Sequence, residues 1–180
     1  PNMLRAEDIL ATVRMLQEEN LDVRTVTMGI NLLDCAGNSM AQVAQAVRRK
    51  ISGQAADLVR VCDQISTRYG LPIVNKRLAV SPASNLLEQH SMEDALTLAH
   101  ALDEAAEDVG VDLIGGFTSL VQKGMTPGER RLIESLPQVL GETGRVCASV
   151  NVASTQAGIN VDAVQLVSNT IIKIATATAD

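Results

Sequence analysis

Apolar side chains recur along this chain with two different periods, and the switching between them predicts its elements. Ile9, Leu10, Val13 and Leu16 fall at helical spacing and predict an amphipathic helix over residues 6–19, closed by Asn20. Strict alternation follows. Val26, Met28, Ile30 and Leu32 share one face and Thr25, Thr27, Gly29 and Asn31 the other, which predicts a strand from Val23 to about Leu33. The turn-rich DCAGNS after it offers Asn38 or Ser39 as a helix cap. From about Met40 to Tyr69 the stripe of Val43, Val47, Ile51, Leu58 and Ile65 predicts one long helix, with Gly53 as its point of interruption and Gly70 as its stop.

The second alternating run, PIVNKRLAVSP at 72–82, sets Asn75, Arg77, Ala79 and Ser81 against Val74, Lys76, Leu78 and Val80. Ser91 and Asp94 form a carboxylate capping box that opens a helix to Val109, with Gly110 as its stop. A third strand at 111–117, VDLIGGF, has no legible face because two glycines interrupt it. Thr126-Pro127-Gly128-Glu129 places a cap, a first-turn proline and an N3 glutamate in helix-starting order, and Pro137 predicts a break in the helix that follows. The fourth strand lies in GRVCASVNVASTQAGIN, 144–160. Cys147, Ser149 and Asn151 alternate there with Val146, Ala148, Val150 and Val152, ahead of a last helix capped by Asn160, with Val164, Val167, Ile171 and Ile174 as its stripe.

A helix followed by four βα units predicts an α/β fold with a parallel sheet. Parallel strands covered by helices on both faces read as continuous apolar runs. Three of these four do not: each carries a small, polar second face with one asparagine, Asn31, Asn75 or Asn151. A sheet that curls, with helices outside and the polar face lining a lumen, accounts for this. Four strands cannot close a barrel, so the pattern predicts about half of an α/β barrel over residues 3–180, with the natural chain continuing beyond. Pro1 and Asn2, ahead of Met3, read as remnants outside the fold.

Composition narrows the function classes. Aromatic residues make up 1% of the 180, which removes the stacking platforms of single-strand binders, and a net charge of -6 argues against a nucleic-acid partner. Cys35, Cys62 and Cys147 are widely spaced with no histidine beside them, so they fit neither a disulfide framework nor a zinc site, and no metal is expected. No apolar run spans a bilayer and no signal segment is present, which predicts a cytoplasmic protein without a membrane partner.

The candidate chemistry gathers on the polar face and at its rim. Arg77 shares that face with Asn75, and a guanidinium there must either bind an anion or be paired within the protein, with Asp34 or Asp112 as the natural partners. Cys147 and Cys35 are the candidates for covalent chemistry, against the plainer reading of small core thiols. Gly115 and Gly116 mark either a ligand backing onto the strand or close packing of backbone. Ser154, Thr155 and Gly158 offer hydroxyls and amides to an anion at the last helix, or form an ordinary loop. With Asn31, Ser81, Ser149 and Asn151 these residues make the expected ligand-binding set, for a small anionic metabolite.

Four stretches in order, RTVTMGINLLDC (24–35), PIVNKRLAVSP (72–82), DLIGGFTSLVQKG (112–124) and VCASVNVASTQAGIN (146–160), resemble the N-terminal region of a conserved uncharacterised protein family of bacteria and archaea. The resemblance implies a fold like that of pyruvate formate-lyase and other glycyl-radical enzymes, a ten-stranded α/β barrel in two halves. A plain (β/α)8 barrel is the alternative. It does not imply radical chemistry: the chain has no adjacent cysteine pair, and the family carries no radical motif. It also implies a small ACT-domain protein as a partner in some members, which gives a second expectation, a non-catalytic metabolite-sensing or scaffold protein. A half-barrel exposes edges and apolar surface, so a homo-oligomer or pairing with the missing C-terminal half is expected.

Overall fold

A computed structural model describes residues 6–18 and 23–179 of the chain. The predicted closing Asn20 lies outside the described residues. In order, α1 is Ala6–Gln17, β1 Val23–Ile30, α2 Met40–Ala55, α3 Leu58–Tyr69, β2 Ile73–Val80 and α4 Met92–Asp108. Then come β3 Leu113–Leu120, α5 Pro127–Glu142, β4 Val146–Asn151, a two-residue hairpin of β5 Ala153–Ser154 and β6 Gly158–Ile159, and α6 Val161–Ala177. Strands β1 to β4 pair in parallel and in chain order. Right-handed crossovers between strands added in sequence place helices α2 to α5 on the same side, so these helices cover one face of the sheet and leave the other.

The covered face builds the core. Ile30, Leu78, Val80, Ile114, Phe117 and Val146 point from the strands into a cluster with Val43, Val47 and Ile51 of α2, Leu98 and Leu102 of α4, and Leu132, Leu136 and Val139 of α5. Helix α4 buries Ala95, Ala99, Ala101, Ala105 and Ala106 alongside Leu98 and Leu102. Aliphatic side chains fill almost all of this volume, with Phe117 as the single phenylalanine.

Helix ends follow their local chemistry. The Ser91 hydroxyl accepts from the Asp94 N–H at 3.2 Å, and the Asp94 carboxylate accepts the Ser91 N–H at 2.8 Å. Thr126 and Glu129 repeat the device on α5, at 3.2 and 2.9 Å. The Ser91 backbone and hydroxyl donors, with His90 beside them, hold the Asp94 carboxyl below its ordinary value. A carboxyl with a lowered folded-state pKa adds stability above its unfolded pKa and loses it as pH falls through the folded value. Wild type should therefore lose stability more steeply than Asp94→Asn on acidification from about pH 5 to 3, read as urea midpoints across a pH series. Ser91→Ala should cost about 1 kcal/mol at neutral pH.

Several expectations need correction. The 40–69 segment does divide, but at Ala56–Asp57 and not at Gly53, which sits inside α2. A helical glycine costs only about 1 kcal/mol, and buried Ile51 and Ala55 keep its turn packed. At Asp57 the side chain accepts from Arg60 Nε at 3.1 Å, a local bond that competes with helix continuation. Pro137 does not interrupt α5, whose neighbouring Leu132, Ile133, Leu136 and Val139 are all buried and hold the helix through it. Ser39 is the N-cap of α2, yet its side chain makes no capping bond. Strand β1 ends at Ile30, and a 3₁₀ turn takes Leu33–Cys35.

The third strand runs three residues further than its sequence suggests and contains a β-bulge. Register passes from Gly115↔Cys147 directly to Phe117↔Ala148, leaving Gly116 unpaired at φ +119°. That bulge explains the illegible face: it returns Phe117 and Ser119 to the covered side after Ile114. Helix α6 is the other departure. Ala163 and Thr170 are buried, whereas Val164 and Ile171 of its predicted stripe are exposed.

Candidate functional site

Pairing fixes which side chains meet on the uncovered face. Thr25 lies beside Asn75, and Thr27 beside Arg77, which lies beside Leu113. The next row crosses all four strands: Gly29, Ala79, Gly115 and Cys147. Above it, Thr118 Oγ1 and Ser149 Oγ are hydrogen-bonded at 2.8 Å, and Leu120 pairs with Asn151. The middle row is a shallow track of small side chains. A Cβ on Gly29 would meet nothing within 4 Å, and one on Gly115 nothing nearer than the Leu78 carbonyl oxygen at 3.8 Å. The two expected roles of the glycine pair thus separate: Gly116 packs against Val80, and Gly115 opens onto the face.

Arg77 stands at the edge of this track. Its Nε is shut off from solvent and has no hydrogen-bond partner. Neither expected acid takes it. Asp34 is ion-paired with Lys50 at 2.6 Å, which lowers its pKa, and Asp112 accepts from the Lys76 N–H at 2.7 Å. Lys76, on the covered face, pairs with Asp63 of α3 at 3.1 Å. A buried donor left unmatched costs about 1–3 kcal/mol, and more on a charged group. Asn75, next to Arg77 on the face, does hold an interaction within the protein.

The remaining candidates divide by location. Cys147 is exposed on the polar face, with the Arg145 carbonyl oxygen 4.0 Å from its sulfur. Cys35 is buried in the core on the covered side, where burial, and then the Asp34 charge, push its thiol up. Cys62 is likewise buried and raised. The polar groups at the strand ends are largely occupied. The Ser81 hydroxyl accepts from the Leu32 N–H at 2.9 Å, Asn31 Oδ1 from the Leu33 N–H at 2.9 Å, and Asn151 Oδ1 from the Ala153 N–H at 3.4 Å. Ser154 and Thr155 belong to the β5–β6 hairpin, and the Ser154 hydroxyl closes its turn on the Ala157 N–H at 3.0 Å. Sequence periodicity misses this hairpin because its strands are two residues long. Asn160 caps α6 through Ala163 N–H at 3.1 Å and also ties it to the Val121 carbonyl at 2.7 Å.

Both histidines are engaged elsewhere. His90 is buried with Nε2 at 3.0 Å from the Gly37 oxygen, and His100 Nε2 lies 3.2 Å from Glu142 on the helical side. Among the described residues no group of His, Cys, Asp and Glu has metal-binding geometry, and no helix is long and apolar enough to cross a membrane. A concavity of about 710 Å³ along α3, between Val59, Asp63 and Thr67, is lined by none of these residues. The polar face itself is an open wall.

Comparison with known proteins places the chain. The profile of a family described as Uncharacterised ACR (DUF711) matches residues 14–180. A UPF0210 protein of Oleidesulfovibrio alaskensis is 49% identical over 178 residues, which are 99% of this chain and 39% of that protein. One from Methanococcoides burtonii is 48% identical over the same shares, and one from Syntrophobacter fumaroxidans is 52% identical over 169 residues, 94% of this chain and 37% of its own. The chain spans about two fifths of the length of these relatives. It belongs to the conserved DUF711 family of bacteria and archaea, whose curated members bear the name UPF0210 protein.

Proposed function

We propose that the uncovered face of the β1–β4 sheet is one wall of a binding site for a small anionic metabolite, clamped by Arg77. The observation that carries this is the solvent-shielded Arg77 Nε with no hydrogen-bond partner on a face of small and hydroxyl-bearing side chains. Once the side chain turns Nε out to the face, a carboxylate or phosphate takes Nε and one terminal nitrogen together, the bidentate geometry that a guanidinium favours. The body of the ligand then lies along Gly29, Ala79 and Gly115, where no side chain stands in its way. Asn75, Thr118 and Ser149 line the adjoining rows.

A singly covered parallel sheet with a polar inner face fits a closed α/β barrel, of the pyruvate formate-lyase type in our reading, without its glycyl-radical chemistry. The second reading is non-catalytic sensing or scaffolding with a small ACT-domain regulatory partner. What favours it is the state of the thiols: Cys35 is buried with a raised pKa, and both histidines are engaged away from the exposed Cys147.

A thermal-shift screen of carboxylate and phosphate metabolites against the full-length protein tests the binding reading. A true ligand at a hundred times its Kd adds about 2.7 kcal/mol of apparent stability. Arg77→Ala should abolish that shift and leave the ligand-free melting temperature within a few degrees. A ligand that stabilises both proteins equally sinks the role of Arg77, and a screen without hits removes the metabolite reading. Turnover of a hit that Cys147→Ser abolishes would decide for an enzyme over a sensor.

A further inference from the structure

We infer that the hydroxyl pair of Thr118 and Ser149 determines specificity on the same wall, selecting a short, unbranched carboxylate that ends in a hydroxyl group. The inference rests on the anion reading of Arg77 and assigns the other end of the ligand. Thr118 and Ser149 are register partners on β3 and β4, and their oxygens lie 2.8 Å apart on the uncovered face. Arg77 pairs with Leu113 further down the same sheet. Strand geometry of ~3.3 Å per residue and ~4.8 Å between strands sets the Cα atoms of Arg77 and Thr118 roughly 14 Å apart, and the arginine's own length shortens that gap. Ala79 and Gly115, themselves register partners, lie between them, with Cys147 beside Gly115. A ligand body there meets small side chains only, so what tells one carboxylate from another is left to its far end.

A hydroxyl carries a single proton and accepts through its lone pairs. Within the pair one proton is taken up between the two oxygens, which leaves one O–H and the remaining lone pairs for a third group. A ligand hydroxyl both gives and takes a hydrogen bond, so it matches both. A carbonyl uses the free O–H alone, and a methyl uses neither while displacing the water that would. A second carboxylate would turn its charge towards lone pairs, and the cations of the adjoining segments are placed elsewhere. Arg145, just ahead of β4, pairs with Glu107 of α4 at 3.8 Å. Lys123, in the turn after β3, borders a concavity of about 400 Å³ together with Arg130 and Asp162. The amide oxygen of Asn151, next on that face of β4, is already engaged by the Ala153 N–H.

Calorimetric titration of the full-length protein with matched acids tests this: the ω-hydroxy acids from hydroxybutyrate to hydroxyhexanoate, the plain acids from butyrate to hexanoate, and the dicarboxylates from succinate to adipate. Wild type should bind a hydroxy acid about tenfold or more tighter than the plain acid and the dicarboxylate of its length. The double variant Thr118→Val, Ser149→Ala should bind that hydroxy acid as weakly as wild type binds the plain acid, and the plain acid as before. Arg77→Ala should weaken all three classes alike. Should the double variant fail to fold, the wild-type ranking and Ser149→Ala, at an exposed position, decide. A wild type that holds the plain acid or the dicarboxylate as tightly as the hydroxy acid overturns the inference, as does a preference that survives in the double variant. Either result leaves the Arg77 clamp standing where Arg77→Ala weakens binding. Binding that Arg77→Ala leaves unchanged, or no binding by any of these acids, overturns the inference together with the clamp for such carboxylates.

Discussion

Gly116→Ala should destabilise the protein by about 3 kcal/mol or more, the sum of a strained backbone and an overpacked contact. Gly116 sits at φ +119°, where an L side chain is strained, and its Cβ would lie 2.5 Å from both the Val80 carbonyl oxygen and Val80 Cγ2. The carbonyl is part of a paired strand and cannot move aside as a flexible side chain would. The neighbouring substitution is the control. Gly115→Ala places its Cβ 3.8 Å from the nearest atom on the uncovered face, and should change stability by less than about 1 kcal/mol. Urea denaturation of the two variants measures the difference. Equal costs would show that the bulge does not place Gly116 against Val80.

Phe117→Ala should cost about 3–5 kcal/mol, the range for removing a fully buried aromatic ring. Phe117 is 1% exposed and belongs to the central cluster on the covered face. The rest of that core is aliphatic, so the void is lined by side chains already in contact with α2, α4 and α5. Phe117→Leu keeps most of the volume and should recover more than half of the loss. The pair also tests register. If the strand ran without its bulge, Phe117 would turn to the uncovered face and its truncation would cost little.

These two residues show where sequence reasoning reached its limit. Strands β1, β2 and β4 declare their faces by alternation, and the structure bears out the apolar sides through Ile30, Val80 and Val146. Strand β3 does not, because a bulge shifts the period at a glycine and one-dimensional alternation cannot register an inserted residue. Capping boxes at Ser91 and Thr126 are legible since their bonds are local. Breaks are less so: Gly53 and Pro137 are intrinsic helix breakers, but tertiary packing overrides both. The exposed half of the α6 stripe depends on what lies beside the helix, which its own residues do not encode.

The candidate site was legible in a similar way. Alternation placed Arg77, Asn75, Cys147 and Ser149 on one face, and strand order brought them onto one sheet. The pairing of Asp34 with Lys50 and of Asp112 with the Lys76 backbone joins residues distant in sequence, so periodicity had no means of excluding either acid as the partner of Arg77. Cys35 follows β1 in the chain just as the turn folds it under the sheet into the core. The Gly29–Ala79–Gly115–Cys147 row exists only through register, and no single stretch of sequence contains it.

The central claim is that the buried Arg77 Nε awaits an anion, and its own N–H resonance tests this most directly. In ¹⁵N-labelled full-length protein the Arg77 Nε–H signal, assigned by its loss in Arg77→Lys, should move downfield and exchange more slowly with water as a stabilising carboxylate or phosphate is titrated in. Saturation should follow the thermal-shift affinity. A ligand that binds with that same affinity while the Arg77 signal stays fixed would contradict the account.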